Sequence, residues 1–272
     1  MTSRRELALT YAVLGAFSLI AVLPVVGIVL TALQDQDDLA AFGTFGGVHL
    51  ENFGDAWRDG SFGPYLRSSA IVTVSVVAVS GALSILAGYA FGLMRFRGAT
   101  VLFYVFLLGL MVPTEAVIVP LYYDFRDLGL TDTYWGLILP QMGTSIAFGT
   151  FWMRAYFRTV PRSLVEAARL DGASSWFTLW RVLLPLARPA VLTMTVLLFM
   201  WTWNEFLLAL VMVTDEGLRT APLGLGFFQG RNRDNLTLLA AGAVIVAMPV
   251  VLLYMFLQRH FIRGMLSGAV KG

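Results

Sequence analysis

The 272-residue chain contains no cysteine, which excludes disulfide frameworks and thiolate metal sites. Its single lysine, Lys271, has no glycine loop leading into it. The GxxxxGK[ST] cradle for nucleotide phosphates is therefore absent, and the chain does not bind ATP in that way. The two histidines, His49 and His260, lie far apart and form no HExxH pair, which argues against a zinc-dependent membrane protease. No nucleophile–His–acid set is available to support another membrane enzyme. Charge is scarce as well: 13% of residues are charged, against about 25% in soluble domains. No nucleic-acid partner is expected. What fills the chain is apolar sequence, 58% of it. Too much for a water-soluble fold to bury, this content makes lipid the natural solvent.

Six segments approach the roughly 20 apolar residues that a bilayer core requires: about 7–33, 68–94, 100–121, 134–157, 187–213 and 236–260. The first follows Arg4 and Arg5 but is too long for a signal-peptide core, and no small-residue cleavage site follows it. The expectation is an all-α membrane protein with six transmembrane helices. With the N-terminus in the cytoplasm, thirteen of the nineteen Lys and Arg residues fall on the inner side, close to span ends. That is the asymmetry of the positive-inside rule. It predicts a multi-pass protein with both termini cytoplasmic.

Ser80, Ser84, Gly88 and Gly92 place a small residue at every fourth position of the second span, a stripe that lets another helix approach closely. Packing within this subunit is the expected use. Pro24, Pro113, Pro140 and Pro249 fall within four of the spans and predict kinks.

Between spans four and five lies "SLVEAARLDGAS", residues 163–174. Ser163 and Glu166 fit a capping box, Pro161 fits a helix start, and Gly172 stands where a left-handed residue would end two or three turns. A second helical stretch, "SSWFTLWRVLLP", then runs to Pro185. The spacing predicts a helix–Gly–helix elbow whose small alanine face, with Trp176, Phe177 and Trp180, presses into another protein. An amphipathic loop lying on the membrane is the competing reading.

"EAARLDGASSWFTLWRVLLPLARP", residues 166–189, resembles the EAA motif of ABC importer permeases at every anchor: Glu166, Ala167, Ala168, Asp171, Gly172, Ala173, Leu184 and Pro185. The likeness extends to the maltose-type second permease of the carbohydrate branch through "ENFGDAW", "AGYAFGLMRFRG", "LGLTDTYWGLILP", "WNEF" and "QRHFIRG". It implies a type I importer transmembrane domain. Residues 1–67 would form the first span and an outer loop, residues 68–260 the core, and residues 261–272 a cytoplasmic tail. The elbow, residues 162–177, would be a coupling helix that docks on a separate ATPase dimer through Glu166, Ala167, Ala168, Asp171, Gly172, Ala173, Trp176, Phe177 and Pro185. ATP and Mg2+ would be bound by that ATPase, with no cofactor in this chain. A homologous second permease and an external sugar-binding protein would complete the system in a prokaryotic inner membrane.

Polar groups inside spans are costly and face partners or wet cavities. Glu115, Asn204 and Glu205, with the flat faces of Trp201 and Trp203, are candidates for a sugar path. Helix–helix hydrogen bonding, or for Glu115 the capping of amides freed by Pro113, is the structural alternative. The stretch 214–237 reads as a glycine-rich outer loop in which Gly224, Gly226, Phe227, Gln229 and Gly230 would meet the binding protein, or serve only as a connector. Di- or oligosaccharides are the expected cargo. Glycerol 3-phosphate or its diesters, carried by related permeases, are the alternative. An ATP-independent secondary transporter is disfavoured because no convincing inverted repeat is visible.

Overall fold

The structure is a computed structural model that describes residues 4–36, 47–231 and 235–269. Arg233 and Lys271, counted in the charge asymmetry, lie outside the described residues, as do the last three positions of the expected tail. Twelve helices account for most of the described chain. They are α1 Arg4–Ala32, α2 Glu51–Asp59, α3 Phe62–Leu93, α4 Ala99–Met111, α5 Thr114–Asp127, α6 Tyr134–Phe157, α7 Arg162–Leu170, α8 Ser175–Leu186, α9 Arg188–Trp203, α10 Leu207–Met212, α11 Ala221–Arg231 and α12 Leu236–Ala269. They divide into two compact units, residues 1–63 with 223–248 and residues 64–222 with 249–272.

In the first unit, nearly all described side chains of α1 are exposed. Its end is nonetheless well satisfied. The Asn52 amide donates to the carbonyls of Ala32 and Gln34 at 3.0 and 2.9 Å, and the His49 N–H donates to Leu33 at 2.8 Å. These bonds answer carbonyls that a helix end leaves without partners.

The second unit is organised by the close passage of α3 against α6. A Cβ built on Gly88 would stand 2.5 Å from the Cβ of Met153, and one on Gly92 would stand 2.9 Å from that of Phe157. Gly149 supplies the matching gap on α6 for Ser84, whose hydroxyl donates to the Ile146 carbonyl at 3.4 Å. The small-residue stripe therefore serves packing inside this subunit, as its spacing suggests. Without a hydrophobic force between helices in lipid, such backbone approach supplies the contact energy.

The span count differs from the sequence expectation. Among the described residues, three helices are long and apolar enough to cross a bilayer: Leu9–Ala32, Phe62–Leu93 and Leu236–Gln258. Two bent pairs raise the number to five, α4 with α5 at 94° and α8 with α9 at 80°. The fourth expected segment forms α6 as one continuous helix, but Gln141, Thr144, Ser145, Thr150 and its glycines dilute its hydropathy. Pro113 breaks the third segment. The residue before a proline is pushed out of the helical region, and Val112 and Pro113 are both extended. Pro24, Pro140 and Pro249 lie inside unbroken helices.

Candidate functional site

The stretch 162–186 forms the expected elbow, with different capping. α7 begins at Arg162 behind an extended Pro161, and no side chain caps it. Ser163 is already its second helical residue, so its hydroxyl lacks the non-helical backbone that a cap requires. The capping box of Ser163 and Glu166 does not form. The end of α7 is as expected: Gly172 takes φ +78°. Its N–H donates to Arg169 at 3.0 Å and that of Ala173 to Ala168 at 2.9 Å. This is the Schellman pattern, which uses two orphan carbonyls and needs a left-handed residue between them. The side-chain cap belongs to Ser174 instead. Its hydroxyl accepts from the Phe177 N–H at 3.2 Å and starts α8. A serine just after the stop and just before an apolar run was the signal for it.

Nor does α8 stop at Pro185. It runs to Leu186 through a π-helical segment, Thr178–Leu183. A proline inside a helix crowds the carbonyl four residues back, here that of Arg181, and the wider π turn relieves this. The chain then bends by 80° into α9.

The elbow has two faces. Val165 is buried in a core that includes Tyr89, Phe157, Leu179 and Leu183, and Ala168 is buried as well. Glu166, Ala167, Arg169 and Asp171 are exposed, and Leu170 is 89% exposed. Trp176 and Phe177 are exposed as well. Trp176 leans on Trp180 with ring centroids 5.4 Å apart. The two alanines of the motif thus separate: Ala168 anchors the helix inward, and Ala167 belongs to the open face, so the alanine face expected to press outward is only half available. Gly172 has open space around the position of a Cβ, so glycine is required there by backbone conformation alone.

The polar pair expected to line a path in span five is engaged in backbone capping. α9 ends at Trp203, and α10 starts at Leu207. In the break, the Asn204 amide donates to Met200 at 2.8 Å, and Glu205 accepts from the Leu208 N–H at 2.8 Å. Both are local bonds to backbone three or four residues away, not the helix–helix bonds of the alternative reading, and Asn204 itself is exposed. Trp203 is buried and stacked on Phe199, centroids 5.5 Å apart and planes 11° apart, so its face is not open to a sugar. Trp201 keeps an exposed face and meets Phe148 edge-on at 4.6 Å. Glu115 is exposed in the first turn of α5, just after the break at Pro113. α10 packs against α5 and α6, so the two interrupted spans are neighbours.

The expected glycine-rich loop is mostly helix. Gly224, Gly226, Phe227, Gln229 and Gly230 all lie in α11, and none of these glycines takes positive φ. Each glycine costs a helix about 1 kcal/mol, but tertiary contacts override this. The Ala221 N–H is capped by the buried Ser69 hydroxyl at 2.8 Å, and buried Phe228 packs edge-on against Phe62 at 5.5 Å. Phe227, Gln229 and Gly230 are exposed. Among the described residues, no group of His, Asp or Glu side chains is placed to hold a metal ion.

Residues 82–267 match the family described as binding-protein-dependent transport system inner membrane component. The probable ABC transporter permease protein YurM of Bacillus subtilis is 36% identical over 92% of this chain and 83% of its own length. The arabinooligosaccharides transport system permease protein AraQ of Halalkalibacterium halodurans is 31% identical over 93% and 92%. A crystal structure of a bacterial ABC transporter involved in the import of the acidic polysaccharide alginate contains a chain that superposes with a TM-score of 0.81, 28% identity, and coverage of 96% of this chain and 99% of that one. The elbow, the interrupted helices and these matches agree: the chain belongs to the binding-protein-dependent transport system inner membrane component family, the non-catalytic permeases of ABC importers.

Proposed function

We propose that this chain is one of two permease subunits that enclose the path of a sugar importer, with di- or oligosaccharides as cargo. A separate ATPase dimer, which holds ATP and Mg2+, drives it through the α7–α8 elbow, and an extracytoplasmic binding protein delivers the sugar. The observation that carries this reading is the two-faced α7. Val165 fastens it to the core of the bundle and Ala168 is buried beside it, while Glu166, Ala167 and Leu170 stay open, so a partner pressing on the open face moves the helices behind it. The names of the relatives, which concern arabinooligosaccharides and alginate, support a sugar as cargo. The arginine asymmetry supports an elbow and both termini on the cytoplasmic side. Residues 1–67 are the N-terminal span and outer loop, 68–260 the core and 261–272 the cytoplasmic tail.

Co-expression with the cognate ATPase and second permease tests the assembly. One complex that hydrolyses ATP is expected, and none from the isolated chain. A cysteine at Asp59 should label from outside intact cells, and one at Ser174 only after the membrane is opened. The native chain has no cysteine to confuse the result. Reversed labelling rejects the orientation.

A further inference from the structure

The turn between α5 and α6 contains an unusual residue. Asp132 takes φ +53°, a left-handed conformation that non-glycine residues adopt rarely and that gathers at functional positions. The rest of the turn is self-sufficient. Gly129 ends α5 at φ +68°, with the Leu130 N–H bonded to Phe125 at 2.8 Å, and Thr133 caps α6. Asp132 spends its polar groups elsewhere. Its N–H donates to the Met212 carbonyl at 3.0 Å. Its carboxylate accepts from the Thr214 N–H at 2.5 Å, the Thr214 hydroxyl at 2.6 Å and the Asp215 N–H at 2.9 Å. All four bonds reach the segment that leaves α10.

α10 is therefore held at both ends. At one end Glu205 caps it at the break in span five, and at the other Asp132 ties it to the α5–α6 turn. Beyond the break, α9 continues through the 80° bend into α8 and the elbow. A displacement of the elbow reaches α9 directly, and along the chain it meets α10 across the three residues 204–206.

We propose that Asp132 is a positioning residue for transport: it anchors α10 to the α5–α6 turn, so that span five works as two segments hinged at Asn204–Phe206. Hydrogen bonding, not charge, does this work, because four groups converge on one residue in fixed directions. An asparagine reproduces the arrangement. It tolerates the left-handed backbone, its carbonyl accepts the two amides, and its NH2 donates to the Thr214 hydroxyl. A glycine keeps the backbone, and with it the bond to Met212, but removes the three carboxylate bonds.

The test uses the transporter assembled with its second permease and ATPase in lipid vesicles. ATP hydrolysis is measured with and without the cognate binding protein, purified with its native cargo. Stimulation of the native complex is required first, and its failure would count against the transport reading, not against Asp132. Asp132→Gly should lower the stimulation ratio about fivefold, the scale of a coupling energy between two sites, while Asp132→Asn stays within about twofold of native. Thr214→Val, which removes one of the four bonds from the opposite side, should lie between them and serves alone if the glycine variant fails to assemble. Native stimulation in the glycine variant, or in Thr214→Val where that stands alone, overturns the proposal. Equal loss in the glycine and asparagine variants also overturns it, in favour of a charged contact with another chain.

Discussion

Gly88 of α3 and Met153 of α6 meet with no room for a side chain on the glycine: an added Cβ would lie 2.5 Å from the Met153 Cβ and 2.9 Å from the Arg154 nitrogen. Both obstacles belong to the backbone or its first carbon, so no rotamer change relieves them. Gly88→Ala should destabilise the bundle by about 1–3 kcal/mol, the usual cost of overpacking. Gly81, on the same helix, meets only the flexible end of Met194 at 3.9 Å, so Gly81→Ala should be neutral or stabilising. Thermal unfolding of the two purified variants gives the comparison. Equal midpoints would refute the close crossing.

At Gly172 the surroundings are open and only φ constrains the residue. Left-handed backbone costs an ordinary L-residue roughly 1–2 kcal/mol, and asparagine less. Gly172→Val should insert and meet the second permease normally but retain less ATPase on purification, with Gly172→Asn intermediate. Full ATPase retention and transport in the valine variant would leave the elbow without a coupling role.

Glu205 separates its two readings through a conservative change. As the cap of α10 it needs an acceptor oxygen, which glutamine supplies. Glu205→Gln should keep uptake close to native, while Glu205→Ala loses a cap worth about 1 kcal/mol and slows uptake. A glutamine variant as impaired as the alanine variant would restore the carboxylate to the sugar path.

Asp132 also makes a prediction about pH. The Thr214 hydroxyl foremost, then the Asp215 N–H, hold its carboxyl below the usual carboxylate range. A carboxyl depressed on folding contributes its stability in full above its unfolded value, near pH 3.9, and loses it only as pH falls through the lower folded value. The tie to Thr214 therefore persists unchanged from pH 8 to pH 5. Over that range the stimulated hydrolysis of native and Asp132→Asn transporters should run in parallel. Profiles that diverge below pH 6 would contradict the assignment.

Much of this was legible along the chain because it depends on neighbours in sequence. Apolar run length marked most of the helices. The four-residue spacing of Ser80, Ser84, Gly88 and Gly92 marked a close crossing, and the position of Gly172 marked a left-handed stop. These features need only helical geometry and the stereochemistry of one residue. Other features required partners far away. Glycines in α11 look like loop residues until Phe228 is buried and Ser69, 152 positions earlier, caps the helix. Glu205 reads as a costly charge in a span until α9 is seen to stop short of it. Asp132 gives no signal of its own along the chain, since the groups its carboxylate binds lie 82 and 83 positions away. Sequence by itself determined most of the long apolar helices and where the elbow turns, because those depend on local free energies. Only the tertiary structure decided which polar groups are open to a substrate and which are bound to backbone, because a buried donor or acceptor takes whatever partner the packing brings within reach.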